Sequence, residues 1–113
     1  MRRGEVWWAN LPRPIGSEPA GRRPVVVLQD DTFNATQLRT LVVVGVTRNM
    51  RRAHLPGHVF LSRADSGLPD DSVVNAFQVI TTDKATLSDR VRQLPPHVVA
   101  SIEEAVRVVL GLP

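Results

Sequence analysis

Two arginines follow a glycine- and proline-rich segment and stand directly before an apolar run. Residues 16–24 hold Glu18, Arg22 and Arg23, and they lead into the valine-rich residues 25–28. Arginine suits phosphate because its planar guanidinium donates two parallel hydrogen bonds and keeps its charge. A loop that ends at a buried strand places such side chains beside a rigid edge. These residues fit either an anion-binding site or a solvated turn with a salt bridge.

One reaction needs only residues of these types. When an RNA strand is cut by attack of its own 2′-hydroxyl, the substrate supplies the nucleophile. The enzyme then supplies a base, an acid and cationic donors for the charge that develops on the phosphate. The candidate set consists of Glu18, Arg22, Arg23, Thr47 and Arg48. These side chains meet only if the strands next to them bring their ends together.

A second basic segment spans residues 47–54. It carries Arg48, Arg51 and Arg52, with Asn49 between them. These side chains could follow a phosphate backbone, and a charged, solvated turn is an equally good interpretation of the composition alone.

Other chemistries lack the residues that they need. The chain has no Cys, no Tyr and no Gly-x-Ser-x-Gly motif, so classical nucleophilic catalysis is poorly supported. His54 and His58 are separated by a Pro-Gly pair, which prevents a shared helical face for a metal. Asp70 and Asp71 fit a capped turn better than a cation site. We therefore expect no metal and no cofactor.

The composition is that of a small basic globular domain. The 113 residues suit one domain over 1–113, with a formal net charge of +3 and a sequence pI of about 11.0. Arginine supplies 13 of the 14 cationic side chains, which favours a polyanionic partner such as nucleic acid. The sequence shows no secretory signal and no apolar run long enough to cross a membrane. We therefore expect a cytoplasmic protein with no membrane partner.

The apolar pattern predicts a mainly β fold. Strands are expected near residues 5–9, 24–28, 41–46, 58–61 and 73–81. The second and third of these are continuous apolar runs, as in strands that are covered on both faces. Short strands at this spacing suggest a small antiparallel barrel or a strongly bent sheet.

The C-terminal segment changes to a helical period. Val98, Ile102, Ala105 and Val109 fall on one stripe of such a helix. A Pro-Pro pair at 95–96 suits its start, and the later Gly111 suits its end. We expect this C-terminal helix to pack on the sheet.

The adjacent tryptophans Trp7 and Trp8 point to opposite faces if they lie on a strand. We therefore expect at most one of them to face the core. The other is then placed to stack on a base or to fill a subunit interface.

Several segments of the chain form a pattern in a fixed order. Arg3-Gly-Glu-Val-Trp7 comes first, and Gly16-Ser-Glu18 is followed by Arg23-Pro24 and a valine-rich run. Val44-Gly-Val-Thr47 comes next, and then Asp71-Ser-Val-Val74 with Gln78. In order and spacing these segments resemble the MazF/PemK family, the messenger-RNA interferase toxins of type II toxin–antitoxin systems. They are similar in turn to its opening strand, its signature loop, the strand that ends in its threonine and a later motif, so the resemblance extends over nearly the whole chain.

The resemblance implies an SH3-like small barrel with a C-terminal helix, working as a homodimer. It also implies an endoribonuclease that cuts single-stranded RNA at specific sequences without metal, leaving a cyclic phosphate and a 5′-hydroxyl. The expected protein partner is a MazE-like antitoxin. Its acidic and apolar disordered tail would cover the RNA groove and displace or cover residues 11–22.

Residue roles also follow from the resemblance. The catalytic arginine and threonine of the family fall on Arg23 and Thr47, and its acidic loop residue falls on Glu18. Two positions that line the RNA groove fall on Ser72 and Gln78. Because a guanidinium keeps its proton at neutral pH, Arg23 suits stabilisation of transition-state charge, and protonation of the leaving oxygen, better than proton abstraction. Thr47 would then donate to a phosphate oxygen, and Glu18 is either the base or an orienting partner of Arg23.

Two positions depart from the family pattern. Phe77 precedes Gln78 where the family often has an acidic residue, and Thr86 precedes Leu87 where it usually has an arginine. Both departures bear on the RNA sequence that is recognised more than on the chemistry.

Two other functions suit the same fold. One is a CcdB-like, non-enzymatic inhibitor of DNA gyrase, which would not need the combination of Glu18, Arg23 and Thr47. The other is a catalytically degenerate member of the family that binds RNA or an antitoxin without cutting.

Overall fold

A computed structural model describes residues 1–12 and 21–113 of the chain. Its described part forms one antiparallel sheet of six strands in the order β4-β5-β3-β2-β1-β6. The strands are β1 (Glu5–Leu11), β2 (Gly21–Val27), β3 (Thr40–Thr47), β4 (His58–Leu61), β5 (Ser72–Asp83) and β6 (Leu87–Gln93). The helices are α1 (Asp31–Asn34), α2 (Arg63–Ser66) and α3 (Pro96–Leu110), with 3-10 turns at Met50–Arg52 and Lys84–Thr86.

The valine-rich strands β2 and β3 are covered on both faces, as predicted. Val26 and Val44 belong to an apolar cluster that includes Val98 and Ile102 of α3. Their neighbours Val25 and Val43 belong to a second cluster on the opposite face. Because successive side chains of a strand alternate between faces, a continuous apolar run supplies both clusters at once.

Irregular pairing bends the sheet. Val44 of β3 pairs with Val79 of β5, whereas the next residue, Gly45, pairs with Asn75. Residues 76–78 of β5 therefore bulge out of the ladder, and β1 is shifted twice against β6. Bulges bend a strand and increase its twist, so the sheet curls instead of lying flat. The prediction of a mainly β, strongly bent fold with a C-terminal helix is confirmed.

The C-terminal helix α3 begins and ends where the sequence predicts. Pro96 occupies its first turn, and Gly111 ends it in the left-handed conformation with φ of 67°. Val98 and Ile102 are buried against the sheet. Arg3 also ties the N-terminus to α3, since its Nη1 lies 2.9 Å from Glu103 Oε1.

Two sequence-based expectations need correction. Trp7 and Trp8 are both half-buried, and each packs on a different apolar cluster. The expectation that at most one faces the core is wrong because the sheet carries a core on both faces. Strand β6 was not predicted, since its sequence LSDRVRQ is mostly polar and exposed. Such composition is typical of an edge strand.

In the described part of the chain, no helix has both the length and the apolar character needed to cross a membrane.

Candidate active site

Arg23 and Thr47 come together because β2 begins where β3 ends. Val25 pairs with Gly45 in this antiparallel ladder. Continuing that register by two residues brings Arg23 opposite Thr47. Both residues line a cavity of about 430 Å³. Its described lining comprises Trp8, Arg22, Arg23, Pro24, Val46, Thr47, Arg48, Asn49, Leu68, Pro69, Asp70 and Ser72.

The hydroxyl of Thr47 is held in place at this cavity. Thr47 is half-buried, and its Oγ1 accepts a hydrogen bond of 3.2 Å from the backbone N–H of Asn49. A hydroxyl oxygen that accepts one hydrogen bond keeps its own proton to donate. Thr47 can therefore donate to an anion in the cavity, as its predicted role requires. Arg23 is half-buried beside it.

Arg22 reaches across the neighbouring strand. Its guanidinium lies over the ring of Trp8, 4.5 Å from the ring centroid, and its Nη2 is 2.5 Å from Asp89 Oδ2. Trp8 pairs with Asp89 in the β1–β6 ladder, which explains why one side chain spans both. Hydrogen bonds from Arg22 and then Ser88 lower the pKa of Asp89. An RNA phosphate at Arg22 would compete with this carboxylate.

The second basic segment contributes to the cavity through its first residues only. Arg48 lines the cavity with its side chain 80% exposed, and its Nη1 is 3.6 Å from Asp70 Oδ2. The side chain of Asn49 caps the following 3-10 turn by accepting from the N–H of Arg51 at 3.2 Å. Arg51 and Arg52 are exposed and lie outside the described lining. Their predicted contact with RNA would be made beyond the cavity.

Of the two residues of β5 that are predicted to line the RNA groove, Ser72 lies at the cavity and Gln78 lies outside its described lining. Ser72 is buried at the cavity, where its hydroxyl donates to the backbone oxygen of Asp70 at 3.0 Å. Gln78 lies on the bulge outside the described lining, with its side chain against Gly45. A Cβ at Gly45 would stand 2.7 Å from Gln78 Oε1. Gly45 and Thr47 share a face of β3, so Gln78 lies on the face of β3 that carries Thr47, outside the described lining of the cavity.

Glu18, the predicted base or orienting residue, lies outside the described residues. Within those residues, no three His, Asp or Glu side chains are grouped so that they could hold a metal ion.

Sequence reasoning did not assign Asp89 or Asp70 to this region. Asp89 lies on β6, the strand that the pattern did not reveal. Asp70 stands next to Asp71, and the two together fit a capped turn. The structure separates them, because Asp71 Oδ1 accepts from the N–H of Arg63 at 2.9 Å while Asp70 lines the cavity with its Oδ2 3.6 Å from Arg48 Nη1.

The curled sheet, its C-terminal helix and the arginine–threonine pair at adjacent strand ends define a small, mainly β protein with a candidate anion-binding cavity. Residues 2–110 match the PemK-like, MazF-like toxins of type II toxin–antitoxin systems, and the chain belongs to this family. The resemblance noted in the sequence is thereby confirmed.

Its relatives are similar over their full length. The chain is 43% identical over 112 residues to endoribonuclease MazF6 of Mycobacterium tuberculosis (strain ATCC 25618 / H37Rv), which spans 99% of this chain and 98% of that protein. It is 35% identical over 112 residues to endoribonuclease EndoA of Bacillus subtilis (strain 168), covering 99% and 96%. A solved endoribonuclease from a mycobacterial species, in complex with its cognate antitoxin, matches with a TM-score of 0.81 at 26% identity. That match covers 100% of this chain and 97% of the solved one.

Proposed function

We propose that this toxin is a metal-independent, sequence-specific endoribonuclease that cuts single-stranded RNA in the cytoplasm. One observation carries the proposal: Arg23 and Thr47 line a single cavity at adjacent strand ends, with Arg22 and Arg48 beside them. Relatives at 43% and 35% identity are named endoribonucleases, which supports the same activity here.

The cavity suits attack by the 2′-hydroxyl of the RNA. The 2′-oxygen forms a bond to phosphorus as it loses its proton to the general base. The bond from phosphorus to the 5′-oxygen breaks as that oxygen gains a proton, for which Arg23 is the proposed donor. The products are a 2′,3′-cyclic phosphate and a 5′-hydroxyl. Arg23 stabilises the charge on the phosphate oxygens, and Thr47 donates a hydrogen bond to one of them. Glu18 is proposed as the base or as the partner that orients Arg23.

The substrate strand extends from the cavity along the exposed basic segment. Arg48 contacts it at the cavity, and Arg51 and Arg52 meet the phosphates that follow. Asn49, Ser72 and Gln78 remain the proposed polar contacts to the strand. Single-stranded RNA suits such a surface because its phosphates and splayed bases are both accessible.

A MazE-like antitoxin is the proposed protein partner. The solved mycobacterial relative is bound to its cognate antitoxin, and an anionic tail would compete with RNA for the same arginines. Hydrogen exchange locates the contact. Protection of residues 11–22 on antitoxin binding is expected, and protection confined to residues 96–110 would refute occlusion of the groove.

A second copy of the chain is the proposed partner at an apolar patch beside edge strand β4. Phe60, Phe77 and Val108 expose 49%, 63% and 59% of their surface. The ring of Phe77 lies against Gly57 and 5.7 Å from the ring of His58. Clustered exposed apolar side chains of this size mark association surfaces. Sedimentation of the wild-type protein and a Phe77→Ser variant tests the dimer, and a monomeric wild type would contradict it.

Incubation of the purified protein with a long single-stranded RNA in excess EDTA separates the candidate functions. We expect cleavage at defined sequences, with 5′-hydroxyl ends on the downstream fragments. Complete inhibition that Mg²⁺ or Zn²⁺ reverses would refute metal independence. Binding without cutting would identify a degenerate member, and inhibition of DNA gyrase supercoiling without RNA cleavage would identify a CcdB-like inhibitor.

A further inference from the structure

The cavity carries a carboxylate that neither the fold nor the proposed cleavage uses. The turn before β5 is held by the side chain of Asp71, which accepts from Arg63, and by the backbone oxygen of Asp70, which accepts from Ser72. Asp70 lines the cavity, and its side chain is 58% exposed. Its described ion pair, to Arg48, is long at 3.6 Å. A carboxylate has about four acceptor positions, so Asp70 retains most of its capacity.

This carboxylate is badly suited to the RNA backbone. Two anions at close range repel each other, and the repulsion grows as water leaves the site. The strand order β5-β3-β2 places β3 between β2, which carries Arg23, and β5, which begins two residues after Asp70. Asp70 and Arg23 therefore approach Thr47 from opposite sides. A phosphate held by Arg23 and Thr47 leaves the Asp70 side of the cavity to a neighbouring base.

We propose that Asp70 is a specificity-determining residue that accepts a hydrogen bond from the exocyclic amino group of a base next to the cleaved bond. The inference rests on the proposed ribonuclease function. Adenine, cytosine and guanine carry such an amino group, whereas uracil has none and places carbonyl oxygens, which a carboxylate repels, on both sides of its single N3–H donor. A site that accepts a hydrogen bond from the base discriminates strongly between bases, because a base without the donor leaves the charged carboxylate acceptor without a partner.

Deletion of the amino group from the substrate tests this role. Cleavage of a randomised RNA library by the wild-type protein first identifies the preferred base at each position around the cut. Inosine, purine riboside or 2-pyrimidinone riboside then replaces a preferred guanosine, adenosine or cytidine. We expect the wild-type kcat/KM to fall by roughly tenfold or more at one position. In Asp70→Ala the same replacement should cost less than about threefold.

Asp83→Asn is the matched control. It removes one negative charge at the opposite end of β5, and asparagine can still cap the 3-10 turn that Asp83 begins. Asp83→Asn should keep the wild-type base preference, and amino deletion should lower its kcat/KM as much as it lowers that of the wild type. Melting curves of Asp70→Ala verify that it is folded, and Asp70→Asn supplies a second variant with the original side-chain volume.

Several results would overturn the role of Asp70. One is that amino deletion lowers kcat/KM as much in Asp70→Ala and Asp70→Asn as in the wild type. Another is that both variants lose cleavage equally on every RNA sequence. A third is that both variants cut every sequence equally faster, which would show that Asp70 only repels the phosphate. A library in which no position prefers an amino-bearing base would also overturn it. A wild-type protein that cuts no member of the library would refute the ribonuclease function itself, which distinguishes the two failures.

Discussion

Arg23 is the residue on which the proposed chemistry depends most. Arg23→Lys keeps the positive charge but removes the planar fork that binds two phosphate oxygens at once. We expect kcat to fall by about 10²- to 10³-fold, as when one preorganised oxyanion donor is removed. Thr47→Val should lower kcat more than RNA affinity. Single-turnover kinetics and equilibrium binding measure these effects separately.

Arg39→Lys makes the same chemical change at an exposed residue that precedes β3, at the end of that strand opposite Thr47. It should leave cleavage unchanged. If Arg23→Lys lowers the melting temperature in step with activity, or if Thr47→Val weakens affinity alone, the assigned roles are wrong.

Glu5 is a buried carboxylate outside the cavity whose ionisation stabilises the fold. Burial alone would raise its pKa, but hydrogen bonds from Arg90, the backbone N–H of Arg2 and the indole of Trp7 together lower it below 4.5. A folded-state pKa below the unfolded value gives stability that is present above the unfolded value and is lost as pH falls through the folded one.

Glu5→Gln should therefore destabilise the protein by about 2 kcal/mol at neutral pH. The difference from wild type should shrink as pH falls below 4.5. Urea unfolding at several pH values measures it. The exposed pair of Glu104 with Arg107 gives a control, since Glu104→Gln should change stability by less than about 0.5 kcal/mol. A pH-independent difference for Glu5→Gln would contradict this assignment.

At the scale of single elements, apolar patterning predicts most of this fold. The runs that form β2 and β3 are unmistakable because their valines fill cores on both faces. The proline start and glycine end of α3 are local signals that need no tertiary information. Strand β6 could not be predicted in the same way, because an edge strand is specified by its partner β1 more than by its own polar sequence.

The sequence predicts which residues form the candidate site better than it predicts how their side chains are arranged. Arg23 and Thr47 could be placed together once β2 and β3 were paired. The contact of Arg22 with Asp89 depends on β6 and on the register of three strands, which no local spacing encodes. The separate roles of Asp70 and Asp71 depend on side-chain direction in a turn, which the sequence alone does not give.

The segment that follows β3 gives a prediction at the same scale. Removing one arginine that binds a phosphate should reduce the salt dependence of RNA binding by roughly 0.7 in the slope of log K against log salt. We expect this reduction for Arg48→Gln, Arg51→Gln and Arg52→Gln. Each is measured in a protein that also carries Arg23→Lys, because slow cleavage keeps the RNA intact during the binding measurement. Arg39→Gln removes an equal charge elsewhere and should leave the slope unchanged. Slopes that match this control would show a solvated turn.

At the scale of the whole molecule, the residues proposed for catalysis and for recognition share one end of the sheet. The ends of β2 and β3 and the turn before β5 supply the arginines, the threonine and Asp70. The apolar patch beside β4 is the proposed surface for a second copy. A two-fold dimer would present two such cavities, since symmetry duplicates every site. A single antitoxin tail per cavity would then be enough to silence the toxin.

The most direct test of the proposed reaction uses an oligonucleotide with one 2′-deoxynucleotide on the 5′ side of the preferred cleavage bond. In the proposed reaction the substrate's own 2′-hydroxyl is the nucleophile, so cleavage at that bond should disappear while binding persists. Moving the 2′-deoxynucleotide one position away should restore cleavage, with a cyclic phosphate and a 5′-hydroxyl at the cut. Cleavage of the 2′-deoxy bond at the all-RNA rate, or 5′-phosphate ends, would contradict 2′-hydroxyl attack.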